Sequence, residues 1–448
     1  MKKLIIFSGA VLFLINQVMA GGILTNSNQS AQFVRMLSRN ASTDLDAVYY
    51  NPAGLVKMDD GFYLAFHNQS VFQTKTINNL FPLLNDATYI GDVAAPVFPS
   101  FFASYKKKKL AVSFGFGPNS GGGSAEYKTG IPSFETSIAQ IPSLLTSMGV
   151  TTTNYSADLY FKGTSVFWGF QLGVSYAFSE IISGAVGLRY INAVNTYDGH
   201  INNIMINPQY PLINPTGGYM LASDFFTAAG MAAYATSTAD KTVDLKQTGT
   251  GYTPVVSVNI SPVKALNMAL KYEFNTKLTL ENKTKEDGTG EFPDGYKFRN
   301  DIPAIFTAGV DYKVLPDFKL STSFNYYFDK SSDRDGLEDK IDRNYYELAF
   351  GGQYNISEKV AVSAGIMHSQ TGVNTGYQSD LNYSLSSNTV GLGGEFNISS
   401  KLTVDLGFLY TMYETGEKEI TYSGIGTFKE TYDKKTVIFS VGFGYRIF

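Results

Sequence analysis

Hydrophobic and polar side chains alternate along several long segments of the chain. From Ser165 to Phe178, one face of an extended strand carries apolar residues and the other carries small or polar residues, with Phe167 out of character. The same alternation recurs at 266–275, 318–326, 402–410 and 437–446. Strands of soluble sheets usually have about five or six residues, whereas a tilted strand needs about ten to cross a bilayer. The pattern therefore predicts membrane-crossing β-strands, with Trp168, Phe170, Leu172 and Val174 facing lipid.

The connections between these strands fall into two length classes that alternate along the chain. Short polar turns are predicted at 106–109, 179–181, 261–265, 315–317, 357–359 and 399–401, and longer loops near 73–99, 118–164, 204–250, 284–300, 329–343, 372–387 and 414–431. About fourteen strands fit between them, with both chain ends on the short-turn side. The sequence thus predicts an all-β fold, a closed antiparallel transmembrane barrel with its short turns in the periplasm and its long loops outside the cell.

Residues 1–20 are typical of a secretory signal peptide. Lys2 and Lys3 precede an apolar stretch, and Ala20 is a small residue at the expected cleavage position. After it, the chain contains no apolar run long enough for a membrane-spanning helix. We therefore predict a signal peptide at 1–20, an N-terminal segment at 21–58 and a transmembrane β-barrel at 59–448, located in the bacterial outer membrane.

The N-terminal segment (residues 21–58) does not alternate. Ser27 to Leu37 and Asp44 to Tyr50 have the pattern of short helices, with Asn26 and Thr43 as candidate N-caps. A segment of this size ahead of a barrel is either a periplasmic tail or a plug in the lumen.

Composition limits the possible chemistry. The chain has no cysteine, three histidines and a formal net charge of −4, so disulfides are excluded and a nucleic-acid partner is not expected. Metalloprotease and serine-hydrolase motifs are absent, and the acidic loop from Asp329 to Asp342 misses the spacing of an EF-hand. We therefore expect no catalytic residue, no metal site, no cofactor and no enzymatic activity.

Two of the long loops contain helical patterns. Apolar residues from Ile138 to Met148 share one face in the second loop, and a second apolar set lies in the third loop at Met220, Leu221, Phe225 and Phe226. Exposed apolar helices are costly unless they bind something. The third-loop residues are therefore candidates for ligand binding, although the two sets of helices could instead pack on each other and roof the barrel.

The stretch from Ser42 to Met58 carries a family resemblance. It reads STDLDAVYYNPAGLVKM, and its Asn51-Pro52-Ala53-Gly54 resembles the NPA element that closes the N-terminal hatch of FadL-type transporters of fatty acids and aromatic hydrocarbons. Four letters alone are a weak match. Their position about thirty residues after a cleavage site and ahead of a barrel pattern is more specific. The resemblance extends over the whole mature chain.

The resemblance implies passive uptake of hydrophobic compounds by a monomer in contact with outer-membrane lipid. A ligand would land between the loops, pass to a pocket beside the hatch, and leave sideways where the third strand bends inward. The implied gate comprises Asn51, Pro52, Ala53 and Gly54, together with the start of the hatch at Gly21, Gly22, Ile23 and Leu24.

The third strand has residues suited to such a lateral opening. Gly115 and Gly117 leave room for one, we expect the start of the hatch beside them, and Pro118 cannot donate a hydrogen bond to a neighbouring strand. The alternative is an ordinary strand end that enters the second loop.

A fatty-acid carboxylate would need a cation inside the barrel. Arg189 and Lys271 face inward by the alternation and lie in the middle of their strands. They are the candidate headgroup ligands, although Lys271 could instead pair with Glu273. Three functions remain open at this stage: a transporter of hydrophobic compounds, a general porin or structural barrel, and a barrel enzyme that modifies lipids.

Overall fold

The alternating segments form long antiparallel strands in the computed structural model, which describes residues 23–422 and 424–448. The predicted signal peptide, Gly21 and Gly22 lie outside the described residues. Fourteen strands are formed within the described part, and each pairs with the next along the chain. The seam, which is the pairing between the first and the last strand, closes the barrel. The prediction of a closed antiparallel barrel is confirmed.

The strands are longer than those of most soluble sheets, and three of them are interrupted. They are β1 (Gly61–Asn79), β2 (Thr88–Lys107), β3 (Leu110–Tyr127), β4 (Tyr155–Ala177), β5 (Ile182–Ile206), β6 (Lys241–Val263), β7 (Leu266–Glu273 and Thr279–Asp287), β8 (Lys297–Arg299 and Ile305–Leu315), β9 (Phe318–Tyr327), β10 (Tyr346–Asn355), β11 (Val360–Gln370), β12 (Ser387–Asn397), β13 (Leu402–Tyr413 and Gly416–Tyr422) and β14 (Gly426–Arg446). A further two-residue strand, Met220–Leu221, pairs with the end of β5.

Side chains alternate between the two faces of the barrel wall as predicted. On β4, Leu172 is 63% exposed on the outer face, while its neighbour Gln171 is buried on the inner face. Phe167, which breaks the apolar–polar alternation, is a fully buried residue of the inner face. The outer surface is therefore apolar, and the inner surface mixes polar groups with patches of apolar side chains.

The predicted short turns fall where the structure has them, but five of the seven long loops are shorter than predicted. The first loop spans 80–87 instead of 73–99, because β1 and β2 continue beyond the apolar part of their pattern. The last loop likewise shortens, because β13 and β14 pair as far as Tyr422 and Gly426. Strands that extend past the bilayer do not need apolar outer residues, so alternation of polarity no longer marks them.

Short helices lie in the N-terminal segment and in the loops. They are α1 (Ala31–Met36), α2 (Ala47–Tyr50), a 3₁₀ helix at Pro52–Lys57, α3 (Pro132–Ala139), α4 (Ile141–Ser147), α5 (Ala222–Ala228), α6 (Ala232–Ser237), and 3₁₀ turns at Asp329–Ser331 and Leu337–Lys340. The N-cap of α1 is Ser30, whose hydroxyl accepts from Phe33 N, and not Asn26. None of the described helices has the length and apolar character needed to cross a bilayer.

The described part of the N-terminal segment, residues 23–58, lies inside the barrel. Helix α1 packs against the strands on both sides of the seam, and the 3₁₀ helix that follows α2 packs against β4, β5 and β6. Almost all of its side chains are buried. It is therefore positioned as a lumenal plug and not as a tail outside the barrel.

Candidate functional site

The pairing between β2 and β3 is interrupted midway along the wall. Phe101 pairs with Phe116 on one side of the interruption, and Ala94 pairs with Ser124 on the other. Between these pairs, the described residues of the two strands form no register partners. The neighbouring β3–β4 pairing continues, with irregularities after Pro118 and Gly121. One side of β3 thus lacks a neighbouring strand over this stretch.

Prolines and glycines account for the interruption. Pro96 and Pro99 of β2 and Pro118 of β3 have no N–H to donate to a ladder. Gly121 and Gly122 have φ of 65° and 119°, which side-chain-bearing residues rarely adopt. Of these three prolines, only Pro118 supported the predicted lateral opening; Pro96 and Pro99 of β2 are a second signal in the sequence for the same feature.

The N-terminal segment takes the place of the missing partner. Asn26 N donates to Asn119 O at 2.9 Å, and the Asn26 side chain donates to Pro118 O and Gly121 O at 3.1 and 2.7 Å. Gln29 Nε2 also donates to Pro118 O, at 2.9 Å. The free backbone carbonyls of β3 are therefore satisfied from inside the barrel, where an unsatisfied group would be costly.

Further hydrogen bonds join the same segment to both strands. The Ser120 hydroxyl of β3 donates to Leu24 O, and the Ser100 hydroxyl of β2 donates to Gln29 O at 2.6 Å. The described start of the N-terminal segment thus lies at Ser120, a few residues beyond the expected Gly115–Gly117 stretch. The positions beside those two glycines are filled by Gln29 and Val48.

A cavity lies beside the interruption. It is partly open to solvent, and the empty space within it and at its mouth together amounts to about 260 Å³. The lining includes predicted residues of the lateral opening, Gly115 and Gly117, and the predicted headgroup ligand Arg189. The other lining residues are Gln29, Val48, Tyr49, Phe102, Phe116, Asn119, Gly169 and Gln171.

Arg189 is the centre of a buried polar network in this cavity. Its guanidinium donates to Glu273 at 2.6 and 3.2 Å, to Gln171 at 2.7 and 3.0 Å, and to Asn119 at 2.8 Å. Asn119 also belongs to the β3 stretch that contacts the N-terminal segment. The network therefore connects the buried cation directly to the interruption in the wall.

Lys271 joins the network from β7. Its ammonium donates to Glu273 at 2.6 Å and to the carbonyl oxygen of Tyr49 at 2.8 Å. The Tyr49 ring lies between the two cations, with its centroid 4.7 Å from Lys271 Nζ and 4.8 Å from the Arg189 guanidinium. The pairing of Lys271 with Glu273, left open by the sequence, is present. Two cations share one carboxylate, so the network has a surplus positive charge.

An apolar patch lies on the inner wall next to Arg189. Ile191 is the next inward-facing residue of β5 after Arg189, and Phe167 pairs with its neighbour Ala193. All are buried, and the patch as a whole consists of Phe167, Ile191, Ala193, Leu278, Leu280, Phe298 and Ile302. A cation beside an apolar wall suits a ligand with a polar head and an apolar body.

Small polar side chains of the barrel wall hold the NPAG element, Asn51 to Gly54, in place. Asn51 donates to Asn259 at 2.7 Å, and Ala53 N donates to Ser257 at 2.9 Å. The hydroxyls of Ser175 and Ser183 donate to Pro52 O and Ala53 O, both at 2.7 Å. A Cβ at Gly54 would lie 2.5 Å from Ser42 O, so this position has no room for a side chain. The element is therefore docked on β4, β5 and β6.

Helix α1 is anchored to the far wall by an ion-pair cluster. Arg35 donates to Asp405 at 2.9 Å and to Glu395 at 2.7 Å. The same guanidinium donates to Gln353 and Ser363, each at 2.9 Å. Arg35 and Asp405 are both buried, so the segment is held from both sides of the barrel.

The third-loop candidates lie away from this cavity. Phe225 and Phe226 are buried among the loop helices, packed with Ile138, Ile141 and Leu145 of the second loop. Met220 and Leu221 lie in a short strand and not in a helix. The loop helices therefore pack on each other, and a ligand-binding role for these four residues remains a prediction. Ile23 packs in an apolar pocket with Ile305, Tyr327, Ile341, Tyr345 and Tyr377.

Together, the closed barrel, the N-terminal segment inside its lumen and the interrupted wall define a plugged fourteen-stranded barrel, and its fold is similar to that of solved FadL-type barrels. The crystal structure of a Pseudomonas aeruginosa FadL homologue is similar over 96% of this chain and 100% of that chain, with a TM-score of 0.66 and 12% identity. The Pseudomonas putida toluene transporter TodX is similar over 91% and 95%, with a TM-score of 0.58 and 12% identity.

The toluene transporter TbuX of Ralstonia pickettii is also similar, over 90% of this chain and 94% of that chain, with a TM-score of 0.54 and 12% identity. The model of the autotransporter β-domain family matches residues 322–447. No curated protein matches the chain. At these identities the likeness establishes the fold, and it agrees with the resemblance found at the NPAG element.

Proposed function

We propose that the protein is an outer-membrane passive transporter that takes up hydrophobic compounds through a hatch-gated barrel with a lateral exit. The observation that carries this proposal is the cavity at Arg189, where the N-terminal segment, a surplus cation and the interruption between β2 and β3 meet. A general porin needs an open aqueous bore. A plugged lumen with apolar wall patches instead suits poorly soluble cargo, the type named for the toluene transporters of the same fold.

The geometry supports a sequence of contacts for an amphipathic cargo. Its apolar body lies against the Phe167 and Ile191 patch, and a carboxylate takes donors from Arg189 and Lys271. To reach those donors the cargo displaces Tyr49, which covers both cations. Movement of the N-terminal segment, acting as the hatch, then uncovers the β3 stretch that Asn26 and Gln29 now occupy.

The lateral route is tested by filling the cavity beside the interruption. A Cβ at Gly117 would lie 2.8 Å from the flexible end of Gln29, so Gly117→Leu is expected to project into the cavity without breaking the wall. Gly444→Leu is the matched control, because a Cβ there meets its nearest neighbour, Thr403, at 3.9 Å. The measurement is uptake of labelled hexadecanoic acid and of toluene by cells with equal surface levels of each variant.

We expect Gly117→Leu to abolish uptake of both compounds and Gly444→Leu to leave it unchanged. Normal uptake by the Gly117→Leu variant would contradict the lateral exit. Rapid passage of a small sugar through the unaltered protein in liposomes would contradict the transporter itself and favour a porin.

A further inference from the structure

Two lysines face each other inside the barrel, away from the Arg189 cavity. Lys75 of β1 and Lys434 of β14 are register partners across the seam. Their side chains are 3% and 8% exposed. Both lie toward the long-loop ends of their strands, whereas Arg189 lies in the half of β5 nearest its short turn.

One tyrosine contacts both ammonium groups. The loop 371–386 folds into the lumen and brings Tyr383 against the seam. The centroid of its ring is 4.5 Å from Lys434 Nζ and 5.6 Å from Lys75 Nζ. Its carbonyl oxygen accepts a hydrogen bond of 3.0 Å from Lys434 Nζ. We call these three residues, Lys75, Lys434 and Tyr383, the seam cluster.

Within the described residues, the Lys434 side chain is not paired with a carboxylate. Glu430, on the same face of β14, accepts from the Tyr432 hydroxyl at 2.5 Å and from the Asn79 amide at 2.6 Å. Among the residues that the structure describes, Lys434 has no acidic group within ion-pair distance. Lys75 stands directly opposite Lys434 in the register, and like charges in that position destabilise a sheet, so an anion beside Lys434 would lower the repulsion between them.

The surroundings of the seam cluster are apolar. The Tyr432 ring is tilted against the Tyr383 ring, with 5.0 Å between their centroids, and the Tyr413 centroid is 5.9 Å from Lys434 Nζ. Tyr383 belongs to the same apolar core as Leu381 of its own loop and Phe33 of the N-terminal segment. An anion with an apolar tail therefore fits this site better than a small hydrated ion.

We propose that the seam cluster binds the carboxylate of a long-chain amphipathic acid, as a station in the lumen separate from the Arg189 cavity. The choice of cargo rests on the proposed function. The carboxylate accepts hydrogen bonds from the two ammonium groups, and its tail lies on the tyrosines and leucines beneath them. Charge-assisted bonds from both partners make this contact selective for the acid over a neutral alcohol of equal length.

The test compares hexadecanoate with hexadecanol on the purified protein by equilibrium dialysis in detergent. The variant is Lys75→Gln/Lys434→Gln. The control is Lys435→Gln, which removes one positive charge from the exposed face of β14 beside Lys434. Heat-modifiable migration checks that each barrel is closed. We expect two hexadecanoate sites in the unaltered protein, the seam cluster and the Arg189 cavity. In the double variant, the affinity of one of them should fall at least about tenfold. Binding of hexadecanol by the double variant, and of both compounds by the control, should stay unchanged.

Three outcomes would overturn the inference: unchanged hexadecanoate binding by the double variant, equal loss of acid and alcohol, or displacement of hexadecanoate by equimolar acetate. In each case the proposed function still stands if the unaltered protein binds and takes up either long-chain compound. If the unaltered protein binds neither hexadecanoate nor hexadecanol, the proposed function itself is contradicted.

Discussion

The ring of Phe98 on β2 lies directly over Gly122 of β3, across the interruption in the barrel wall. A Cβ at Gly122 would overlap this ring, and the φ of 119° at Gly122 also excludes most side chains. Phe98 is buried on the inner face. The interruption is therefore filled by one aromatic side chain where backbone pairing is missing.

Removing that ring should enlarge the opening. In Phe98→Ala, we expect faster initial uptake of hydrophobic cargo, because the space between the strands loses its largest occupant. Phe101→Ala, on the outward side of β2, is the control. A rate equal to or below that of the unaltered protein, at matched surface levels, would contradict the assignment of Phe98 as the side chain that blocks the opening.

Gly54→Ala should detach the NPAG element without opening the barrel. Its new Cβ would lie 2.5 Å from Ser42 O and from Asn51 Nδ2, so the turn must move off Ser257 and Ser183. We expect faster hydrogen exchange at residues 51–57, with the strands still protected. Gly218→Ala is the control, because a Cβ there would lie 3.8 Å from its nearest neighbour, and it should leave hydrogen exchange at residues 51–57 unchanged. Equal protection in both variants would refute this account.

The Arg35 and Asp405 contact should show strong coupling. Arg35→Met leaves a buried carboxylate without its partner, which typically costs about 3–5 kcal/mol of unfolding free energy. Arg35→Met/Asp405→Asn should recover much of this loss, because the fully buried charge at Asp405 is gone and only the partly exposed Glu395 remains without Arg35. A double-variant cycle by urea unfolding in detergent measures the coupling. Simple additivity of the two single losses would show that the pair does not act as a unit.

Leu172 should be sensitive to charge because it faces lipid. Leu172→Arg is expected to lower the unfolding free energy in bilayers by roughly 2–4 kcal/mol if it lies near the midplane. Leu212→Arg serves as control, since Leu212 is 87% exposed on a long loop. Equal stability of the two variants would mean that β4 does not present this face to the bilayer.

The loop around Asp329 should loosen as the pH rises. Burial raises the pKa of the Asp329 carboxyl to about 7, with Arg334 opposing the shift. A raised pKa means that the protonated form favours the folded loop, so this stabilisation is complete below pH 4 and is lost as the pH passes 7. We expect hydrogen exchange at 328–345, corrected for intrinsic rates, to quicken from pH 5 to pH 8. In Asp329→Asn the change should vanish.

The alternation of apolar and polar residues predicted the barrel wall correctly where one face of a strand contacts lipid and the other faces the lumen. On β4, lipid requires Leu172 and Val174, and the lumen accepts Gln171 and Ser175, so polarity alternates. Near the end of β1, both faces accept polar groups such as Thr74, so the pattern fades while the strand continues. Beyond the bilayer, the length of β1 is set by its pairing with β2 and β14. The polarity pattern of β1 alone does not contain this information.

The candidate site was predictable in part. Gly115, Gly117 and Arg189 were identified separately, and the structure brings them into one cavity. Phe98 and Tyr49 were missed, because their role depends on how β2 faces β3 and how the N-terminal segment docks. Phe167 was a visible signal: an aromatic residue out of register on an apolar strand indicates an apolar patch on the other face.

The ion pair of Arg35 with Asp405 joins residues 370 positions apart, one ahead of β1 and the other near the end of the barrel. Contacts at such separation form late, because a large loop must close first. The plug can therefore be locked only when the last strands arrive, at about the time the seam forms. A barrel that closes without its plug lacks the partner that Asp405 needs, and is therefore the less stable product.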